Sequence, residues 1–409
     1  MVATIKSEKK ENRSRFISDV QFGNVGLDIG ALRGLARSEP DAFMGKCQKL
    51  IDSGELRWDK INNLKNLFLA LSDVQVPARV NLMGQQRAIM ASAFPLLSGA
   101  LTVAGINEAY DGVSTIGQDL VTEMEDNKKI SQYASILSED THIDRVDEGQ
   151  DFPEIGAGEE KYEIRNKRNG RRISITGEMI EENDLANITQ RVNALGEIAG
   201  EMIEEQTLSR VCDINGSATS PAEPYVLRLN GSGTQLYNST ANSPGTRAPS
   251  GTRVRNNALS DGTDLDAARA VLAAMLNSRG KRIAIPLSRC TLLIPDALAG
   301  IASKIINSEL EPGVVNEINN WGPRGQYRPR LRSSPKLDDL STSVWYLGWF
   351  ERQFIRKWKL RFEFVSLSGD TESFLKSRIA FQARVAWDCE IGATDFVYVV
   401  QNLSATTAP

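Results

Sequence analysis

The stretch from Phe152 to Cys212 constrains this chain most, because it joins a polar, alternating segment directly to an unusually long helical one. Its first part, FPEIGAGEEKYEIRNKRNGRRISITGEMIEENDL, reads as a β-hairpin. Tyr162 and Ile164 alternate with charged residues on one strand, and Ile173 and Ile175 alternate with Arg172 and Ser174 on the other. Asn169-Gly170 lies between them, a dipeptide that accepts the positive φ angles of a tight hairpin turn. The second part, ANITQRVNALGEIAGEMIEEQTLSRVC, predicts one helix from Asp184 to Cys212, roughly 40 Å long at about 1.5 Å per residue. Asp184 is placed to cap it, and Glu178, Glu181 and Glu182 put negative charge beside its positive end. Ile188, Val192, Leu195, Ala199, Met202 and Ile203 form its apolar face, with Glu197, Glu201, Glu204 and Glu205 mostly outside that face. Gly196 and Gly200 let another backbone approach closely. A polar two-stranded hairpin is marginal by itself in water. Its Tyr and Ile side chains therefore need a cover, and a neighbouring subunit is the expected one.

Composition sets few other limits. The chain of 409 residues is long enough for two or three compact units. A net charge of −4 gives no global drive toward nucleic acid or an anionic membrane. Cys47, Cys212, Cys290 and Cys389 are far apart with no CxxC pair, which fits inert thiols in a reducing compartment. The basic N-terminus MVATIKSEKKENRSRF has no apolar core after it and is not a secretory signal. Ala88 to Asn107 is uncharged and long enough to test as a membrane span, but its Pro, Gly, Ser, Thr and Asn content favours a buried core segment.

Along the chain, residues 1–84 read as a helical extension, and Gln85 to about Leu137 is again helical. The acidic segment SEDTHIDRVDEGQD, with the single histidine His142, lacks the spacing of a calcium loop and reads as a solvated loop. Asn215 to Thr263 reads as a long exposed connection or ordered surface loop, interrupted by a strand at Tyr225–Leu229. Helices are expected at Asp264–Asn277 and after Pro295, where Leu298, Ile301, Ile305 and Ile306 make a stripe, with a short buried strand at Thr291–Ile294. The segment NNWGPRGQYRPRLRSSP sets Arg324, Arg328, Arg330 and Arg332 around Trp321 and Tyr327, a pattern able to stack on single-stranded nucleic acid or to meet acidic surfaces of other subunits. The end is strand-rich. Ile379, Phe381, Ala383, Val385, Trp387, Cys389 and Ile391 fall on one face of a long strand, and Arg378, Gln382, Arg384, Asp388 and Glu390 fall on the other.

No catalytic constellation appears. The lone histidine sits in a charged loop, and no GxSxG elbow, HExxH pair or glycine-rich phosphate loop is present. Paired carboxylates such as Glu159–Glu160 and Glu181–Glu182 serve solubility in a chain this acidic. The expected reading is a protein that is not an enzyme and has no cofactor or metal.

From about Phe94 onward the chain resembles the major capsid proteins of tailed bacteriophages, most closely the Mu-type major head subunits. The resemblance is carried, in family order, by AFPLLSGAL, DEGQDFPEIGAGEE, KRNGRRISITGEMIEENDL, the helix after Asp264, LLIPDALAGIASKIINS, VWYLGWF and IAFQARVAWDCEIGATDF. It implies an α+β, Hong Kong 97-type shell fold shared with encapsulins. The implied parts are a helical extension (1–84) retained in the particle, an N-arm (85–150), an E-loop hairpin (151–180), a peripheral domain (181–282, spine helix 184–212), an axial domain (283–350) and return strands (351–409). In this scheme Tyr162, Ile164, Arg165, Lys167, Arg168, Asn169, Gly170, Arg171 and Arg172 make intersubunit E-loop contacts. Trp321, Arg324, Arg328 and Arg330 make axial-domain contacts.

The implied partners are copies of the chain in hexamers and pentamers and packaged double-stranded DNA, with portal, scaffold and decoration proteins beyond them, and no membrane. The implied location is the virion capsid, after assembly in the host bacterial cytoplasm. An encapsulin-like compartment around a protein cargo is the alternative within the fold, and a nucleic-acid-binding module around Arg324–Arg332 is the alternative outside it. Some members crosslink an E-loop lysine to a neighbour's asparagine. Lys161 and Lys167 lie in the right segment, but no partner asparagine and carboxylate can be assigned, so no crosslink is expected. A denaturing gel of mature particles should show single subunits, and a ladder of covalent oligomers would contradict this.

Overall fold

The computed structural model describes, with short interruptions, residues 94–134, 161–176, 184–310 and 318–404, plus scattered single positions elsewhere. The predicted extension 1–84, the acidic segment around His142 and residues 152–160 lie entirely or almost entirely outside the described residues. The main helices are α1 (Phe94–Asp111), α2 (Leu185–Cys212), α3 (Gly262–Ala273) and α4 (Ala299–Asn307). The strands are β1 (Thr122–Glu125), β2 (Ile130–Ala134), β3 (Lys161–Arg165), β4 (Lys167–Thr176), β5 (Leu227–Leu229), β6 (Ser232–Thr234) and β7 (Arg253–Val254). They continue with β8 (Thr291–Pro295), β9 (Arg330–Ser334), β10 (Trp345–Gly348), β11 (Phe354–Ser368), β12 (Ile379–Ala393) and β13 (Val399–Asn402). Three sheets result, ordered β1-β11-β12-β4, β7-β13-β10-β8-β9 and β2-β3-β5-β6. The chain is α+β, and its contacts fall into two compact units.

The first unit contains α1, Asn169–Glu201 and Phe362–Trp387. Asp184 Oδ1 accepts the Asn187 N–H at 3.3 Å, which satisfies one of the orphan donors at the start of α2. Ile188, Val192, Leu195 and Ala199 are buried as their helical spacing predicts. Gly196 and Gly200 are small because α1 and the turn after it lie against them. A Cβ on Gly196 would collide with the Ile106 carbonyl oxygen and come within 2.8 Å of the Ala109 Cβ, whereas one on Gly200 would crowd the Val113 side chain, its Cγ2 at 2.9 Å and its Cβ at 3.0 Å. Tyr110 stacks on Phe362 at 4.7 Å, and Phe362 on Trp387 at 5.6 Å, completing this packing.

The second unit holds Thr115–Arg168, Met202–Arg361 and the chain after Asp388. Strands β8, β10 and β13 are buried throughout, which is why LLI, WYLG and VV read as continuous apolar runs rather than alternating ones. Helix α3 starts earlier than predicted. The Asp261 carboxylate accepts the Thr263 N–H at 2.9 Å while Asp264 accepts the Asp261 N–H at 3.1 Å, so the capping box closes at Asp261. On α4, Ile305 and Ile306 are buried, but Ile301 is 37% exposed.

Several expectations need correction, among them the helical reading of Gln85 to about Leu137, which gives way to β1 and β2 after α1. First, Asn169-Gly170 is not a hairpin turn. Both residues lie inside β4, and β3 pairs antiparallel with β2, Tyr162 opposite Tyr133. The chain instead breaks at Asn166, whose backbone N–H donates to Lys129 O and whose Nδ2 donates to the Lys357 and Asp388 carbonyls. Gly170 is small for another reason: a Cβ there would lie 2.7 Å from the Val385 carbonyl oxygen. Second, β12 is half-buried only before Val385, where Ala383 is buried and Arg384 exposed. From Val385 to Ala393 both faces are covered, and Asp388 and Glu390 are each 5% exposed. Third, the Gly/Ser-rich connection after Asn215 is not merely a surface loop, since Leu236, Tyr237 and Ala248 enter the core and Arg247 forks onto Asp395 with two 3.0 Å hydrogen bonds. On α2, Met202 is 43% exposed and Glu204 is 3% exposed, reversing the expected faces of both.

The two helix glycines separate by what they touch. Gly196→Ala gains about 1 kcal/mol of helix propensity but forces a backbone shift costing about 1–3 kcal/mol, so urea unfolding should show a net loss. Gly200→Ala crowds a side chain rather than backbone and should lose less than Gly196→Ala in the same measurement.

Candidate assembly surface

The residues predicted to make contacts divide sharply by burial. Lys167, Arg168, Gly170, Arg171 and Arg172 are exposed, Arg165 is half-exposed and paired with Glu163, and Asn169 is partly buried. This leaves a run of cations along the start of β4. Tyr162 and Ile164, by contrast, are 1% and 2% exposed. Their own chain covers them: β2 and β5 flank β3, and Gly392 of β12 lies against the Ile164 side chain. No neighbouring subunit is therefore needed to shield them.

Trp321 is likewise core, 1% exposed with its ring 5.7 Å from that of Tyr327, so it offers no stacking platform to a nucleic acid. Arg324, Arg328 and Arg330 are exposed. Arg324 pairs with Glu309 and Arg330 with Glu351, each at 3.4 Å, and such exposed pairs add little stability.

The second unit holds a buried polar frame that the residue pattern did not reveal. Arg210, near the end of α2, bonds Glu390 of β12 at 3.0 Å and donates through Nη1 to the Pro224 carbonyl at 2.6 Å. Glu204, one turn and a half earlier, accepts the Ile116 and Gly117 N–H groups, the latter at 2.9 Å, at the start of a one-turn 3-10 helix. Arg356 of β11 reaches Thr207 Oγ1 at 2.5 Å and Glu123 at 3.3 Å.

The last carbonyls of α2 are satisfied by tyrosines. Tyr237 Oη donates to Val211 O at 2.9 Å and Tyr346 Oη to Cys212 O at 3.2 Å. Asp213 then ends the helix with φ of 46°, and its Oδ1 accepts the Val226 N–H at 3.1 Å. The available signals were weak: charged residues inside the aromatic-rich β12 sequence, and an arginine flanked by Leu208, Val211 and Cys212.

Burial governs the titrating groups here. It pushes the Asp213 carboxyl up to about 7, against the opposing pull of Arg210. The Cys212, Cys290 and Cys389 thiols are each pushed up to about 12 by the same desolvation, so at neutral pH they are protonated and poor nucleophiles. Among the described residues no group of His, Cys, Asp and Glu side chains is arranged to hold a metal ion, and no helix is long and apolar enough to cross a membrane.

Residues 160–400 match the family model described as phage capsid protein. No curated protein sequence matches the chain significantly. Among solved structures, the chain is similar to the capsid of an empty GTA particle, with 11% identity, a TM-score of 0.45, and 72% of this chain and 92% of that one covered. It is similar to the mature capsid of bacteriophage PhiM1, with 11% identity, a TM-score of 0.44 and coverage of 73% and 89%. It is also similar to a virus-like particle from Pyrococcus furiosus, with 9% identity, a TM-score of 0.39 and coverage of 73% and 96%.

Two outcomes follow from the buried frame. Arg210→Met strands a buried carboxylate and should cost about 3–5 kcal/mol, while the double variant with Glu390→Leu should cost clearly less, measured as a urea-unfolding cycle. For Asp213, the unfolded carboxyl ionises near 3.8 and the folded one near 7. Between those values the folded protein keeps a proton that the unfolded chain has released, so this residue's contribution falls as pH rises. Asp213→Asn should therefore gain stability relative to the parent between pH 5 and pH 8. An unchanged difference at the two pH values would show that the carboxyl titrates normally.

Proposed function

The chain belongs to the phage capsid protein family, and on that premise we propose that it is the major shell subunit of a tailed-bacteriophage head, assembling with copies of itself around double-stranded DNA. The match over residues 160–400 carries this reading. Its role is structural rather than catalytic, which agrees with thiols held protonated by burial and a polar frame whose partners are within the chain. The subunits build pentamers and hexamers in the Hong Kong 97-type arrangement, with the return strands beside the spine helix α2. Portal, scaffold and decoration proteins are further partners of such a head, its place is the virion, and assembly occurs in the host cytoplasm.

Shell closure joins many modest contacts into one stable assembly. The contact we assign to this chain is the exposed cation run Arg165, Lys167, Arg168, Arg171 and Arg172, docking on an acidic surface of the next subunit. Charge there sets register and specificity more than raw affinity. The acidic counterpart is abundant in the sequence itself, in Asp140, Asp144, Asp147, Glu148 and Asp151. Arg324, Arg328 and Arg330 form a second exposed set for contacts around the symmetry axes, without Trp321, which is committed to the core.

The test is the charge-reversal variant Arg168→Glu with Arg171→Glu. Neither side chain is buried, so the subunit should fold normally while shell yield drops several-fold and the remaining particles fall apart at lower salt, as seen by electron microscopy and sedimentation. Normal yield and normal salt stability would remove the proposed contact. Hollow icosahedral shells from the parent chain alone would still support the shell reading in that case.

A further inference from the structure

The surface of the second unit carries two arginines held on aromatic rings. Arg289 lies two residues before β8, and its guanidinium carbon sits 5.2 Å from the centre of the Trp349 ring. Arg352, in the short helical turn Phe350–Gln353, sets its own 5.8 Å from the centre of the Tyr398 ring. The two rings meet edge to face with centres 6.3 Å apart, and the Trp349 backbone N–H donates to the Tyr398 carbonyl at 2.8 Å. The order is therefore arginine, indole, phenol, arginine. Both arginines are exposed and both rings are partly buried.

Attraction to a ring face uses the charge of a guanidinium and needs none of its five N–H donors. Among the described residues neither Arg289 nor Arg352 has a carboxylate partner or a side-chain hydrogen bond, so these donors meet solvent. The ring contact also narrows the positions that each long side chain takes, which removes part of the ordering cost of binding. Arg330 extends the same surface. Its backbone N–H donates to the Cys290 carbonyl at 3.0 Å, beside Arg289, and its side chain reaches Glu351, beside Arg352, at 3.4 Å. Arg289, Arg330 and Arg352 against Glu351 leave a local excess of two positive charges on a chain whose net charge is −4.

Each of the two guanidiniums is held by its own ring, and no shared polar partner among the described residues draws them onto one point. That arrangement suits an extended anion with repeated charge. Duplex DNA presents one phosphate charge per about 1.7 Å of its axis, and an arginine fork matches phosphate with two parallel hydrogen bonds. The rings are partly buried and hold the cations, so they give bases no open platform, and a contact to the backbone reads no sequence. We propose that Arg289 and Arg352, with Arg330 beside them, form a sequence-independent contact for the phosphate backbone of double-stranded DNA. The choice of duplex DNA rests on the shell reading above, under which this surface meets the enclosed genome.

The experiment measures fluorescence anisotropy of two labelled DNA duplexes of unrelated sequence with the full-length subunit before assembly, from about 50 to 200 mM salt. Affinity should fall steeply with salt and be the same for both duplexes. Each contacted phosphate contributes about −0.9 to the slope of log affinity against log salt. The double variant Arg289→Gln with Arg352→Gln should therefore flatten that slope by about two and weaken low-salt binding about tenfold or more. Arg361→Gln removes an exposed arginine paired with Glu123 and Glu125 and should leave both quantities unchanged. Arg289→Lys with Arg352→Lys keeps the charges without the planar fork. It should retain most of the slope while binding more weakly than the parent, and it carries the test if the glutamine variant folds poorly.

Equal affinity and slope in the parent and the double glutamine variant, or no DNA binding by the parent at low salt, would overturn the proposal. So would a double variant that binds DNA normally but forms no shells, which would make this surface a contact between subunits. Weakened DNA binding in a double variant that still forms hollow shells would support both the contact and the shell reading. The same weakening in a chain whose parent never forms shells would keep the contact and overturn the shell reading.

Discussion

The Arg210–Glu390 ion pair is the interaction on which the second unit depends. Both side chains are almost fully buried, and Arg210 also takes up the Pro224 carbonyl, so one guanidinium ties together the end of α2, the segment before β5 and strand β12. Removing two ions from water is costly, and their attraction balances that cost only when the remaining donors and acceptors are also matched. The surroundings meet this condition in part. Glu204 caps a neighbouring 3-10 helix, and Tyr237 and Tyr346 close the last carbonyls of α2. The helix end is thereby fixed by polar partners from distant parts of the chain together with its buried Leu208, Val211 and Cys212.

This division of labour suits a shell subunit. The buried ion pairs and helix caps that set the interior geometry are made within the chain, whereas the cations along β4 lie exposed at the surface. Buried pairs specify one arrangement of elements. Exposed charges tune how copies meet, in a manner that salt and charge reversal can modulate. The mechanism needs no nucleophile or acid–base pair, and the buried thiols are held in their unreactive protonated form.

Legibility followed the range of the interactions involved. The α2 boundaries, the Asp184 cap and the packing role of Gly196 were readable because they depend on residues within a few positions of one another or on a period of 3.6. The buried strands at Leu292 and Trp345 were readable from short apolar runs. Asn169-Gly170 permits a hairpin turn without requiring one, and lies inside β4. Gly170 is needed instead for the close passage of the Val385 carbonyl, more than two hundred positions away in sequence. Asp388 and Glu390 alternate with apolar residues along β12 yet are buried, and nothing local announces that Arg210 will arrive at Glu390.

The sequence by itself determined the helix α2, the alternation of the last long strand, the family resemblance and the cationic character of β4. These are short-range properties, fixed by side-chain periodicity and by charge that has no reason to leave water. Only the tertiary structure decided that β3 pairs with β2 rather than β4, that Tyr162, Ile164 and Trp321 belong to the core, and that Arg210 meets Glu390 in the interior. Those outcomes depend on which distant strand completes a ladder and which buried charge finds its counterion. Such pairings are settled by desolvation and packing in the folded chain, and no local pattern encodes them.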